Sequence, residues 1–174
     1  MRWLNLALSL FASIAAYAAE PPDGWRLPTA SELASEPQRA QSPTKYTRVV
    51  ADFNGDGIDD EALLLKSTQF SGEGLWVRLS DLSTGLHWLK LSESRWGKKY
   101  PTVDLGMGIE VVQPGVVAYA CFDTSTECDW SDRQYRPKLK LRDPALMFFK
   151  FESAASIFFW SAKHQRFLRV WVSD

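Results

Sequence analysis

The 174-residue chain is predicted to be mainly β: a single antiparallel β-sheet domain, a sandwich or curved meander, with one short N-terminal helix. Three observations predict this. From Tyr46 onward, short apolar runs alternate with polar residues at period two, and Gly, Pro, Asn and Asp clusters separate them. The connections are too short for the crossover helices that parallel strands require, so neighbours should run antiparallel. A helix-capping motif stands ahead of this region, at Thr29-Ala30-Ser31-Glu32.

Residues 1–18 read as a secretory signal peptide. Arg2 is the positive start, Leu4 to Ala15 is almost wholly apolar, and Ala16-Tyr17-Ala18 is a small-residue cleavage site. The mature chain should begin at Ala19, in the periplasm or outside the cell. No later apolar run is long enough to span a bilayer. Removing Arg2 lowers the 20 basic side chains by one against 21 acidic ones, and a balance so near neutral argues against nucleic-acid binding. Roughly 155 mature residues make one domain with its own core.

Residues 19–44 should form an extended, proline-rich segment and a helix from Ala30 to Glu36, stopped by Pro37. This part carries little apolar surface and should pack on a sheet edge. Residues 45–174 form the β domain. Its expected strands are Tyr46–Ala51, Ala62–Lys66, Leu75–Leu79, His87–Leu91, Gly108–Val112, Val116–Cys121, Leu146–Glu152, Ser156–Trp160 and Phe167–Val172. Gln113-Pro114-Gly115 places proline and glycine as a type II turn requires.

Between the first two strands lies Asp52-Phe53-Asn54-Gly55-Asp56-Gly57-Ile58-Asp59-Asp60-Glu61. Carboxylates this dense repel one another and call for a counter-charge. A hard cation with oxygen ligands supplies it, and Ca²⁺ takes six to eight such ligands. Asp52, Asn54 and Asp56 alternate, so a tight loop brings them to one point. Gly57 is sixth from Asp52, where the turn is sharpest. Ile58 offers its backbone carbonyl, and Asp60, in ninth place, closes the shell. Asp59 points away in this register. A solvated acidic turn, with Asn-Gly and Asp-Gly chosen for conformation alone, is the alternative.

The loop is not an EF-hand, because Leu63 stands where a bidentate Glu would close the site. Val49 to Asp60 instead resembles the β-loop-β calcium repeat called FG-GAP or VCBS, found in integrin propellers and secreted bacterial proteins. The resemblance covers about a tenth of the chain and occurs once. A propeller needs several blades, so the resemblance implies a calcium loop and not a fold.

Cys121 and Cys128 flank a polar, turn-prone stretch, and an oxidising compartment would join them in a disulfide. The later strands show two kinds of face. Leu75, Val77 and Leu79 oppose Trp76 and Arg78; Leu89 and Leu91 oppose Trp88 and Lys90; Leu168, Val170 and Val172 oppose Phe167, Arg169 and Trp171. One face is aliphatic core. The other, an aromatic residue beside a cation, is either a second packed layer or an exposed interface. Trp76, Arg78, Trp88, Lys90, Arg169 and Trp171 are the candidate partner-binding residues.

Catalytic patterns are missing. Neither His87 nor His164 belongs to HExxH, no serine sits in GxSxG, and no glycine-rich phosphate loop occurs. The carboxylates converge on one point, which suits a cation better than a separated acid and base. The expectation is an exported, non-enzymatic calcium-binding protein with a protein partner, of the type of an immunity protein that inhibits a cell-wall-targeting toxin. The alternative is a carbohydrate- or cell-wall-binding module, since the mature chain is rich in tryptophan (Trp25, Trp76, Trp88, Trp96, Trp130, Trp160, Trp171).

Overall fold

The computed structural model describes residues 20–34, 36–81, 85–97, 105–120 and 136–173. In chain order these form β1 (Trp25–Arg26), α1 (Ala30–Ala34), a 3-10 turn (Pro37–Arg39), β2 (Arg48–Ala51), β3 (Asp60–Ser67), β4 (Gly72–Asp81) and β5 (Gly85–Arg95). There follow β6 (Met107–Val112), β7 (Gly115–Ala118), β8 (Lys138–Leu141), β9 (Ala145–Lys150), β10 (Ala155–Ser161) and β11 (Arg166–Ser173). The chain is mainly β and its strand pairs are antiparallel.

The strands make two sheets and a ribbon. In the first sheet β3 pairs β4, which pairs β5; on its other side β3 takes β2 at its start and β1 at its end. The second sheet has the order β11-β10-β9-β6, and β7 and β8 form a separate ribbon. Phe53, Ala62, Leu64, Leu75 and Val77 from the first sheet meet Leu105, Ile109, Leu146, Phe148 and Phe158 in the main core. A smaller core of Leu141, Ala145 and Ile157, with Val117, Leu139 and Val170, lies under the ribbon on the second sheet's far side. Both faces of the second sheet are therefore covered, whereas the first sheet buries one.

The N-terminal segment does add to a sheet edge, as its composition suggested. Glu32 closes the helix cap by accepting from the Thr29 amide at 2.7 Å, while the Glu32 amide donates to the Thr29 hydroxyl at 3.3 Å. Glu32 also binds Arg26 at 2.7 Å, which ties the helix to β1. Two strands escaped the sequence reading. β1 is two residues long, and Lys138-Leu139-Lys140-Leu141 alternates correctly but over only four residues. The Gln113-Pro114-Gly115 turn does not close a hairpin either: β6 pairs β9 and β7 pairs β8, so the turn passes the chain from sheet to ribbon.

The sheets are joined at a polar seam. The Ile109 amide donates to the Tyr46 carbonyl at 2.8 Å. Arg39 has no exposed surface; it donates to the Lys45 carbonyl at 3.2 Å, the Leu105 carbonyl at 2.6 Å and the Met107 carbonyl. From the opposite side Glu73, also buried, accepts from the Gly106 amide at 3.2 Å. Residues 105–107 are thus held by a cation at their carbonyls and a carboxyl at an amide.

Burial pushes the Glu73 carboxyl up to about 7, against the opposing pull of Lys66, the Met107 and Gly106 amides and Arg39. The native state keeps this proton to a higher pH than the unfolded chain. Its stabilisation is therefore complete below the ordinary value of 4.5 and lost as pH rises through about 7, a change on the order of 3 kcal/mol. Glu32, which Arg26 holds down at about 2, acts in a separate window below 4.5. Urea unfolding between pH 4.5 and 7.5 should show stability falling with pH in wild type and a flatter profile in Glu73→Gln, which keeps an acceptor for Gly106 but cannot ionise. An unchanged slope in that variant would exclude Glu73 as the titrating group.

Candidate functional site

The acidic loop connects β2 to β3. Gly55 and Gly57 adopt φ of +76° and +87°, the left-handed conformation in which a side chain would be strained. These two reversals fold the loop amides onto its own side chains. The Asp52 carboxylate accepts from the amides of Gly55 (2.7 Å), Asp56 (3.1 Å) and Gly57 (2.8 Å). The Asn54 side-chain carbonyl accepts from the Asp56 amide at 3.0 Å and its amino group donates to Asp56 Oδ2 at 2.9 Å. Asp56 Oδ1 accepts from the Ile58 amide at 2.8 Å. Asp52, Asn54 and Asp56 are therefore brought together, as their alternation predicted.

Asp60 is placed differently from these three. It is fully buried, and its two carboxylate oxygens accept from the Phe53 amide at 3.0 Å and the Ser80 amide at 2.8 Å. Burial raises its pKa, an effect opposed by those two amides and reinforced by the charges of Asp56 and Asp52. Asp60 fastens the loop to β4, and the Ser80 hydroxyl adds a bond to the Asp59 carbonyl at 2.9 Å. The sequence reading also missed Asp143, from the turn between β8 and β9. Its carboxyl carbon lies 3.0 Å from where a Cβ on Gly55 would be.

Among the described residues no three His, Cys, Asp or Glu side chains stand together as a ready metal-ligand set. A carboxylate offers about four lone-pair positions. Asp52 uses three of these on amides and Asp56 uses two on N–H donors. The free capacity is small and is all oxygen, which fits a hard cation held weakly and in part by water.

The second candidate region is the outer face of the first sheet. Cross-strand register puts Trp25 of β1, Leu63 and Leu65 of β3, Trp76 and Arg78 of β4, and Trp88 and Lys90 of β5 on that face. Leu65 pairs with Gly74, and a Cβ on Gly74 would lie 2.7 Å from the Trp25 ring; one on Gly72 would lie 2.6 Å from the Phe70 ring. The alternating glycines leave room for these rings to approach the sheet and cover β3's outer leucines. Trp25 meets Phe70 at 5.9 Å and Trp76 at 5.4 Å, and Trp76 meets Trp88 at 6.4 Å, all edge to face.

Cations thread this row of rings. Arg95 lies 4.3 Å from the Phe70 centre, Lys90 lies 5.6 Å from Trp25 and 5.8 Å from Trp76, and Arg78 lies 5.9 Å from Trp88. Each carboxylate on the face lies between two of the cations. Glu61 binds Arg48 at 2.5 Å and Arg78 at 2.7 Å; Glu93 binds Lys90 at 2.7 Å and Arg95 at 2.5 Å. Hydrogen bonds from Lys90 and Arg95 lower the Glu93 pKa.

The six predicted partner residues do not share a surface. Arg169 and Trp171 lie on β11, at an end of the second sheet, on the side that carries Phe158; the Arg169 guanidinium is 5.1 Å from Phe158 and 3.9 Å from Trp171. That side carries Phe158 into the main core, but Arg169 is exposed on the edge strand, whereas Trp76, Arg78, Trp88 and Lys90 lie on the first sheet's face away from that core. Trp25, Phe70, Arg48 and Arg95 join the latter group unpredicted; the Gly-x-Gly spacing at residues 72–74 was the available signal. Cys121 and Cys128 lie outside the described residues.

No protein-family model, no curated protein and no solved structure matches the chain.

Asp60→Ala should cost about 3 kcal/mol in chemical unfolding, because two amides lose a charged acceptor, each bond worth about 1.5–3 kcal/mol. The exposed neighbour variant Asp59→Ala should change stability by less than about 0.5 kcal/mol. Equal effects would contradict the strut role of Asp60.

Proposed function

We propose that this chain is an exported, non-enzymatic binding protein that engages a carboxylate-rich protein partner through the outer face of its first sheet, with Ca²⁺ steadying the acidic loop. The observation that carries this is the vertical order of charge on the face. Arg48, Lys90 and Arg95 keep 59, 42 and 68% of their side-chain surface exposed, while Glu61 and Glu93 keep 13 and 20%. The cations stand outward over their own carboxylates. Each carboxylate is outnumbered two to one, so the face presents net positive charge set among aromatic rings. Trp, Tyr and Arg dominate binding hot spots, and a charge pattern of this kind steers an acidic partner into register. An immunity-type inhibitor of a cell-wall-targeting toxin fits this build. The carbohydrate alternative has less support here, because a cation already occupies the neighbourhood of the Trp25, Trp76 and Trp88 rings on which a sugar would stack.

Asp52, Asn54, Asp56 and the Ile58 carbonyl would hold the calcium, with Asp60 anchoring the loop beneath them. Few free lone pairs imply affinity in the 10⁻⁴–10⁻³ M class of extracellular calcium modules. At a tenfold excess over Kd the stabilisation is about 1.4 kcal/mol, a Tm rise of about 3–6 °C. Scans in 10 mM CaCl₂ and in chelator should differ by that amount in wild type and coincide in Asp56→Ala. Coincident scans for wild type would remove calcium from the account.

Immobilised protein should capture a partner from periplasmic and secreted extracts, and salt should elute it, since screening weakens exposed charge pairs. Lys90→Glu/Arg95→Glu should reduce capture at least tenfold with Tm changed little. A partner retained equally by this variant would place the interface elsewhere, and retention only on peptidoglycan or polysaccharide would favour the sugar-binding alternative.

A further inference from the structure

The turn between β8 and β9 and the β10–β11 hairpin enclose a cleft of about 320 Å³, near the small end of small-molecule sites. Lys140, Arg142 and Lys163 line it, together with Asp143, Ser161 and the half-buried ring of Trp160. The three cations are exposed, and among the described residues none makes an ion pair or side-chain hydrogen bond. On the first sheet, by contrast, cations are matched: Arg26 by Glu32, Arg48 and Arg78 by Glu61, Lys90 and Arg95 by Glu93. The one carboxylate in the cleft offsets only part of their charge. Asp143 sits against Gly55 of the acidic loop and lies in no salt bridge with the three cations.

Three cations against one carboxylate around a concave surface with a low-dielectric wall leave a net positive potential focused into it. Trp160 supplies that wall and is held in place by Phe167, edge to face at 5.3 Å. An oxyanion would relieve the repulsion, and a ring attached to it would cover the indole. We propose that this cleft binds a small anionic sugar, a phosphorylated or carboxylated monosaccharide, with Lys140, Arg142 and Lys163 on the anion and Trp160 against the ring. This site is separate from the outer face of the first sheet and stands or falls independently of the protein partner.

The test is a titration of the ¹⁵N-labelled protein with glucose 6-phosphate, glucuronate, inorganic phosphate and neutral glucose at constant ionic strength, alongside Trp fluorescence. At least one of the two sugar anions should shift the amides of residues 140–143 and 161–163, and the tighter of the two identifies the anion. Inorganic phosphate should bind at least fivefold more weakly than that sugar, and glucose should cause no shift. Lys140→Ala/Arg142→Ala should weaken sugar-anion binding at least tenfold with Tm unchanged, because both side chains are exposed. Shifts no larger than those from matched chloride, undiminished binding by the double variant, or glucose binding as well as the anions would overturn the proposal. Phosphate alone binding as tightly as the sugar anions would overturn the role of Trp160.

Discussion

Arg39 is the point on which the two sheets depend. Its guanidinium is fully buried and reaches the carbonyls of Lys45, Leu105 and Met107, which belong to the N-terminal segment and to the start of β6. Burying a guanidinium costs several kcal/mol unless its donors are satisfied, and here three carbonyls, that of Leu105 buried, take those donors. Burial lowers the Arg39 pKa, with Glu36 and Glu73 opposing. Glu73 grips the same segment at the Gly106 amide. With that join made, the Tyr46–Ile109 bond aligns β6 with the approach to β2, and the aliphatic faces of the two sheets close over one core.

Closure of the core on one side leaves the other side of the first sheet to cover itself. β3 is buried almost throughout its length, including Leu63 and Leu65 on the outer face. What covers them is the sheet's own row of rings and cation stems, which approach closely because Gly72 and Gly74 leave room. The same side chains thus shield leucines and present charge. This dual use explains why the cations alternate with aromatics instead of gathering at one end. It also separates this face from the cleft beside Trp160, where the cations shield no apolar row and the single lining carboxylate, Asp143, lies in no salt bridge with them.

Much of the fold was legible from residue patterns, since period-two alternation and turn residues located nine of the eleven strands. The acidic loop was legible for the same local reason: alternating Asp52, Asn54 and Asp56 with glycines between them has few ways to fold. Asp60 was not, because position nine in a loop does not reveal that the amides of Phe53, in the loop itself, and Ser80, on β4, converge there. Nor does alternation say which layer covers a face. Trp76 beside Arg78 and Trp171 beside Arg169 look alike in sequence, yet one pair lies on the outer face of the first sheet and the other on the edge strand of the second, on the side that carries Phe158. The burial of Arg39 was equally hidden, since a lone arginine in a polar stretch gives no sign of the carbonyls it will meet.

The outer face of the first sheet is open, with Arg48, Lys90 and Arg95 outward. Timed acetylation of lysines in the native protein, read by peptide mass spectrometry, tests this most directly. Lys90, 42% exposed, should react at a rate close to that of exposed Lys163, and Lys66, 4% exposed, should react far more slowly. Lys90 protected to the level of Lys66 in the isolated protein would mean that another layer covers the face, and would contradict the account.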